Sequence, residues 1–178
     1  LTLALGSGTA SPLEMARIFS VFANGGFLIE PYAISRIENS QGEIIFQTQR
    51  KVACTTCKVT QQHKNNYAPR IISPEISFLM NSLLQDVISR GTARRAKSLG
   101  RKDLAGKTGT TNQQRDAWFN GFSPKITTIT WVGFDDSKPL GKKETGGRTS
   151  LPMWIDYMKT ALQEHPEESF TQPKGIVK

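Results

Sequence analysis

Apolar residues recur at helical spacing in three stretches of the chain, and short β-rich runs separate them. Ser11-Pro12-Leu13-Glu14 forms a capping box with proline at the first helical position. Met15, Ile18, Phe19, Phe22 and Ala23 follow on one face until Asn24-Gly25-Gly26 ends the helix. A strand–turn–strand pattern runs from Ile34 to Glu38 and from Glu43 to Gln47 around Asn39-Ser40-Gln41-Gly42. Residues 48–70 are polar and aperiodic and read as a loop or insertion. A second helix opens at Ser73-Pro74 and ends at Gly91, and its stripe of Ile76, Leu79, Met80, Leu83, Leu84, Val87 and Ile88 is expected to pack in the core. Leu104 to Thr110 reads as a strand, and Ala117 to Phe122 with Ile126 to Phe134 as a hairpin around Ser123-Pro124-Lys125. A third helix, Pro152 to Gln163, is expected to bury Trp154, Tyr157, Met158, Ala161 and Leu162 and to stop before Pro166. Residues 1–163 thus form the folded portion, and the polar stretch 164–178 reads as an exit linker. Adjacent antiparallel strands between helices give an α+β fold rather than a βαβ alternation.

Composition adds bounds. The 178 residues suffice for one domain with a real core, and the formal charge is +8. No apolar run approaches the roughly 20 residues that span a bilayer, so any membrane anchor is expected outside this stretch. The chain opens at Leu1 with no secretion signal, which reads as an excised or processed piece. Arg90, Arg94, Arg95, Lys97, Arg101, Lys102, Lys107 and Arg115 concentrate the positive charge, relieved by Asp103. No aromatic residue interleaves between Arg90 and Arg115, so a solvated basic face is expected and nucleic-acid binding is not. Cys54 and Cys57 are the only cysteines. They read first as a local disulfide of an oxidising compartment and second as spectator thiols, because a zinc site wants four ligands and only His63 could add a third.

The chemistry concentrates in Gly106-Lys107-Thr108-Gly109-Thr110-Thr111-Asn112, with Asp116-Ala117-Trp118-Phe119 behind it. Gly100 to Thr108 nearly spells a P-loop, with Ile129 to Asp135 as a Walker B rival, but five residues separate Gly100 from Gly106 where the motif needs four. A basic segment precedes Lys107 and an aromatic strand follows, whereas a P-loop needs an apolar strand and then a helix N-terminus.

Lys-Thr-Gly-Thr is the third motif of the penicillin-interacting serine acyltransferases, which also need Ser-x-x-Lys and Ser-x-Asn. No serine of this chain begins either, and Ser98-Leu99-Gly100-Arg101 is the nearest miss. Further segments resemble class A penicillin-binding proteins in order: Leu3 to Gly6, Ser11 to Ala16, Phe22 to Gly26, Gly91-Thr92-Ala93, Trp131 to Asp136 and Glu144 to Arg148. Ile37-Glu38-Asn39 and Val52-Ala53-Cys54 with Cys57 look like the Gram-negative 1A branch, and the resemblance runs from Leu1 to about Val177.

That resemblance implies the C-terminal part of a D,D-transpeptidase domain with the penicillin-binding and serine β-lactamase-like fold. The parent would be a bifunctional murein synthase on the periplasmic face of the inner membrane, held by an N-terminal anchor. Its implied partners are peptidoglycan stem peptides, β-lactams and the N-terminal remainder of the same chain, with no cofactor and no metal. Lys107 would supply positive potential, Thr108 and Thr110 hydroxyls would bind the donor carboxylate, and the Thr110 amide would form half of an oxyanion hole. One such donor is worth about 3 kcal/mol. Gly109 would let substrate backbone approach, and Thr111, Asn112 and Trp118 would line the groove. Plain alternatives stand beside these roles: Lys107 as a surface lysine, Thr111 and Asn112 as a turn, Trp118 as core. Asp116 reads first as a salt-bridge residue at a strand start and second as a group orienting Lys107 or Arg115, and Arg148 as a weaker substrate contact. The fragment alone is expected to be inactive and marginally soluble. A D,D-carboxypeptidase or β-lactamase of the same fold, or a non-catalytic muropeptide- or partner-binding module, remains the rival reading.

Overall fold

A three-stranded antiparallel sheet in the order β3-β4-β5 organises the computed structural model, which describes residues 8–55, 57 and 66–177. Leu3 to Gly6 and His63 therefore lie outside the described residues. The elements are α1 (Pro12–Ala23), β1 (Arg36–Glu38), β2 (Ile44–Gln47), α2 (Pro74–Ser89), β3 (Ala105–Thr110), β4 (Asp116–Phe122), β5 (Thr127–Gly133) and α3 (Ser150–Ala161). Short 3₁₀ segments cover Arg94–Leu99 and Asn112–Gln114. The class is α+β, as the sequence pattern requires.

Side chains alternate across the sheet, so β4 serves two cores. Phe119 points to α3, where it meets the Trp154 ring edge-on at 4.9 Å, and Leu151, Trp154 and Met158 are fully buried around it. The close fit needs Gly121, because a Cβ there would lie 2.8 Å from the Trp154 ring. Phe122 points to the other face and packs with Phe19 of α1, Leu84 of α2 and Ala105 of β3.

Helix α1 begins at its capping box, with the Ser11 amide donating to Glu14 (2.7 Å) and the Glu14 amide donating back to the Ser11 hydroxyl (3.3 Å). Its buried residues are Phe19 and Val21, while Ile18 is exposed, contrary to the helical stripe. The correction in α2 is larger. Leu84 and Ile88 are buried, but Ile76, Leu79 and Leu83 are 53%, 49% and 62% exposed. Apolar residues occupy too much of this helix for one neighbouring face to cover, and hydrogen bonds choose which side turns inward. Ser77 and Asn81 are buried because both donate to the Phe22 carbonyl in the last turn of α1, where helical partners run out and the Gly25 amide reaches it only at 3.4 Å. In α3, Tyr157 is exposed rather than buried, since the seam uses Leu151, Trp154, Met158 and Leu162.

The β1–β2 hairpin is antiparallel and solvent-exposed along both strands, its turn held by Asn39 accepting from the Gln41 and Glu43 amides (2.9 Å each). The following loop is tied back by bridges from Val52 to Tyr67 and from Phe27 to Arg70. Cys54 and Cys57 form a disulfide, and no cluster of metal-ligating side chains occurs among the described residues. Arg94, Arg95, Lys97 and Lys102 form an exposed basic face, whereas Arg101 is mostly buried against Asp103 (2.6 Å), which holds its guanidinium above the usual arginine value. The same pair grips the tail, since Arg101 donates to the His165 carbonyl (2.7 Å) and Glu168 donates its amide to Asp103 (3.2 Å). Phe170 then packs on Phe122. Polarity alone gave no hint of that docking. No helix among the described residues is long and apolar enough to cross a membrane.

Candidate functional site

Strand β3 is one of the sheet's two edge strands, and its sequence is Ala105-Gly106-Lys107-Thr108-Gly109-Thr110. Low apolar content makes it a poor core strand, and α2 covers its first half. The outer half is open: Lys107 and Thr110 are exposed, and Thr108 is half-buried. Register fixes what the edge presents. The Thr111 amide donates to the Asp116 carbonyl (3.1 Å), so Thr111 and, by alternation, Gly109 and Lys107 bond inward to β4. The backbone groups of Thr108 and Thr110 consequently point out of the free edge. Lys107 curls round that edge, and its Nζ donates to the Thr108 carbonyl (2.9 Å).

The Thr108 and Thr110 side chains share one face of the strand. Each hydroxyl has one fixed neighbour: Thr92 Oγ1 lies 2.8 Å from Thr108 Oγ1, and the Gly146 amide donates to Thr110 Oγ1 (3.1 Å). On the opposite face Gly109 sits across from Trp118, and a Cβ at Gly109 would lie 3.1 Å from the Trp118 Cβ. Trp118 is half-buried and packs against Trp131, the rings tilted by 39° with centroids 5.9 Å apart.

After the strand, the chain turns through Gln113 and Gln114, both at positive φ (62° and 51°). Backbone strain of that kind in non-glycine residues persists only where surroundings enforce it. Here the Asp116 amide donates to Thr111 Oγ1 (2.8 Å), that hydroxyl donates to Asp116 Oδ2 (3.2 Å), and Arg115 holds Gln113 and the Ser137 carbonyl. Asp116 also accepts from Trp131 Nε1 (3.0 Å). The expected salt bridge is absent: Asp116 pairs with neither Lys107 nor Arg115 among the described residues, because its two oxygens serve the turn and the indole. The Thr111 hydroxyl is likewise committed to the turn, and Asn112 is exposed beside it. Arg148 is exposed in the loop whose Gly146 touches the strand.

Sequence reading brings together Lys107, Thr108, Gly109 and Thr110 but misses Thr92 and Gly146 as their partners. The only signal was that Gly91-Thr92-Ala93 and Glu144 to Arg148 stood among the family-like segments. Hollows of about 410 and 440 Å³ lie elsewhere, beside α1 and between α3 and the basic 3₁₀ segment, and neither is lined by β3. The candidate site is thus an open edge rather than a closed cavity. Two hydroxyls, a cation and outward amides on such an edge suit an extended ligand with an anionic end.

The family profile of the penicillin binding protein transpeptidase domain matches residues 1–152. The chain is 42% identical over 177 residues to penicillin-binding protein 1A of Neisseria lactamica, covering 99% of this chain and 21% of that protein. It is 40% identical over 210 residues to penicillin-binding protein 1A of Pseudomonas aeruginosa, covering 99% of this chain and 26% of that one. A crystal structure of penicillin-binding protein 1A from Haemophilus influenzae superimposes with a TM-score of 0.88 at 42% identity, covering 99% of this chain and 30% of that chain. The chain spans about a fifth to a quarter of the length of these curated relatives.

Proposed function

The chain belongs to the penicillin binding protein transpeptidase domain family, and from that premise we propose that it forms one wall of a peptidoglycan D,D-transpeptidase site. The observation that carries this reading is the free β3 edge. Lys107, the Thr108 and Thr110 hydroxyls, and the outward Thr110 amide all sit within four consecutive residues of it. In the reaction, a serine supplied from outside these residues attacks the penultimate carbonyl of a D-Ala-D-Ala stem. The Thr110 amide stabilises the developing oxyanion, D-Ala leaves with a proton, and an amine of a neighbouring stem takes the acyl group. Lys107 and the two hydroxyls hold the donor's terminal carboxylate. β-Lactams occupy the same position and leave the serine acylated.

The remainder of the protein, by this reading, is a longer bifunctional synthase anchored in the inner membrane, with its catalytic domains in the periplasm. A local disulfide is compatible with that oxidising compartment. The remainder also covers the exposed stripe of Ile76, Leu79 and Leu83, which is more apolar surface than a solvated helix face usually carries. Asn112 lines the groove in this reading, Thr111 acts through the turn, and Trp118 supports Gly109 from the face opposite the two hydroxyls.

Fluorescent-penicillin labelling of the full-length protein tests the proposal, with Lys107→Ala and the 178-residue chain alongside. Labelled wild type, weakened Lys107→Ala and an unlabelled 178-residue chain are expected. A folded full-length protein that takes no label would favour the second reading, a non-catalytic muropeptide-binding module. Hydrolysis without cross-linking would favour a carboxypeptidase or β-lactamase.

A further inference from the structure

We propose that Thr92 is a positioning residue which, with the Gly146 amide, presets the Thr108 and Thr110 hydroxyls as proton donors toward an anionic ligand group. The inference rests on the transpeptidase reading and assigns a role to a residue outside the Lys-Thr-Gly-Thr run. A hydroxyl carries one proton and two acceptor positions, whereas a backbone amide can only donate. Because the Gly146 N–H donates to Thr110 Oγ1 (3.1 Å), a lone pair of Thr110 is occupied and its proton is left for the ligand.

Gly146 cannot turn away. A Cβ there would lie 2.1 Å from the Trp118 carbonyl oxygen and 2.5 Å from that of Gly109, and its own carbonyl accepts the Leu151 amide (2.8 Å). The loop is therefore pressed onto the sheet at the place where β3 and β4 pair.

Thr92 does the same for Thr108 through a hydroxyl pair 2.8 Å apart, in which either oxygen can donate. An anion at the strand edge settles the direction. It takes the Thr108 proton, so Thr92 must supply the proton between the two oxygens, and the chain Thr92 to Thr108 to anion is polarised cooperatively. Thr92 is well fixed for this. The Gly91 amide donates to the Asp86 carbonyl (3.0 Å), the Ala93 amide donates to the Val87 carbonyl (3.0 Å), and Ala93 is fully buried. The Thr92 side chain itself is exposed, so substitution there leaves the core untouched.

The test measures the second-order rate of acylation of the full-length protein by benzylpenicillin. Thr92→Val should lower it roughly five- to tenfold, the usual cost of one hydrogen bond in a chain ending on a charge, without moving the melting temperature. Thr92→Ser should recover it to within about twofold, and Thr92→Val added to Thr108→Val should lower the rate no further. Two results would overturn the inference: a Thr92→Val rate equal to wild type, or an undiminished Thr92→Val effect in the Thr108→Val background. A wild-type protein that is never acylated would instead sink the transpeptidase reading beneath it.

Discussion

The two faces of the three-stranded sheet are built to different standards of completeness. Toward α3, Phe119, Leu151, Trp154 and Met158 are fully buried, and the polar atoms among them are satisfied: Ser150 donates to the Ala117 carbonyl (2.6 Å) and Trp154 Nε1 to the Thr128 carbonyl (3.2 Å). Toward α1 and α2, Phe19, Leu84, Ala105 and Phe122 make a smaller core, while Ile18, Ile76, Leu79 and Leu83 face outward. The buried polar atoms without a hydrogen-bond partner among the described residues, Arg17 Nε, Asn81 Oδ1 and Asn120 Oδ1, sit on α1, on α2 and on the strand face those helices cover. Buried polar groups are rarely left so. Among the described residues one face is a finished core and the other is only partly covered.

Side-chain truncations on the two faces should differ most. Trp154→Ala is expected to cost the 178-residue chain about 3–5 kcal/mol, whereas Leu83→Ala should change it by no more than about 0.5 kcal/mol. In the full-length protein Leu83→Ala should cost about 2–5 kcal/mol if, as proposed, the remainder packs on that face. Denaturant titration of both lengths checks this, and a costly Leu83→Ala in the short chain would contradict the contrast.

The tail gives the open face part of its cover, through Phe170 on Phe122 and a Lys125–Glu168 ion pair (3.0 Å). Asp103→Ala leaves Arg101 mostly buried without its partner and frees the Glu168 amide. A loss of about 3 kcal/mol is expected, with faster proteolysis beyond residue 164. An unchanged cleavage rate would show that the tail is held by something else.

The smallest effect lies at the start of α1. Ser11→Ala should cost about 1 kcal/mol through loss of the cap. The Ser11 amide and hydroxyl hold the Glu14 carboxyl below its usual range. A carboxyl lowered on folding stabilises above its ordinary value and loses that contribution as pH falls through the lowered one. The difference in melting temperature between wild type and Glu14→Gln should therefore be present at neutral pH and shrink in acid.

Much of the fold was legible because local rules carried it. The capping box at Ser11, the proline at position 74, and the Ser123-Pro124-Lys125 turn between β4 and β5 all set elements where they are found. What was not legible came from tertiary choice. Periodicity marks which residues of α2 are apolar, but the Phe22 carbonyl selects Ser77 and Asn81 to face inward. In the candidate site, the run from Lys107 to Thr110 was readable as a motif. Its neighbours Thr92 and Gly146 were not, since 16 and 36 residues of chain separate them from the hydroxyls they touch. Asp116 was misread for a related reason: its charge suggested an ion pair, while its position beside the turn and Trp131 gave it hydrogen bonds instead.

A crystal structure of the full-length protein after reaction with benzylpenicillin tests the central claim most directly. The acyl group is expected on a serine facing the free edge of β3, with the penicillin carboxylate within hydrogen-bonding distance of the Thr108 and Thr110 hydroxyls. Ile76, Leu79 and Leu83 should be covered in the same structure. An acylated serine remote from β3, with the edge from Lys107 to Thr110 open to solvent, would contradict it.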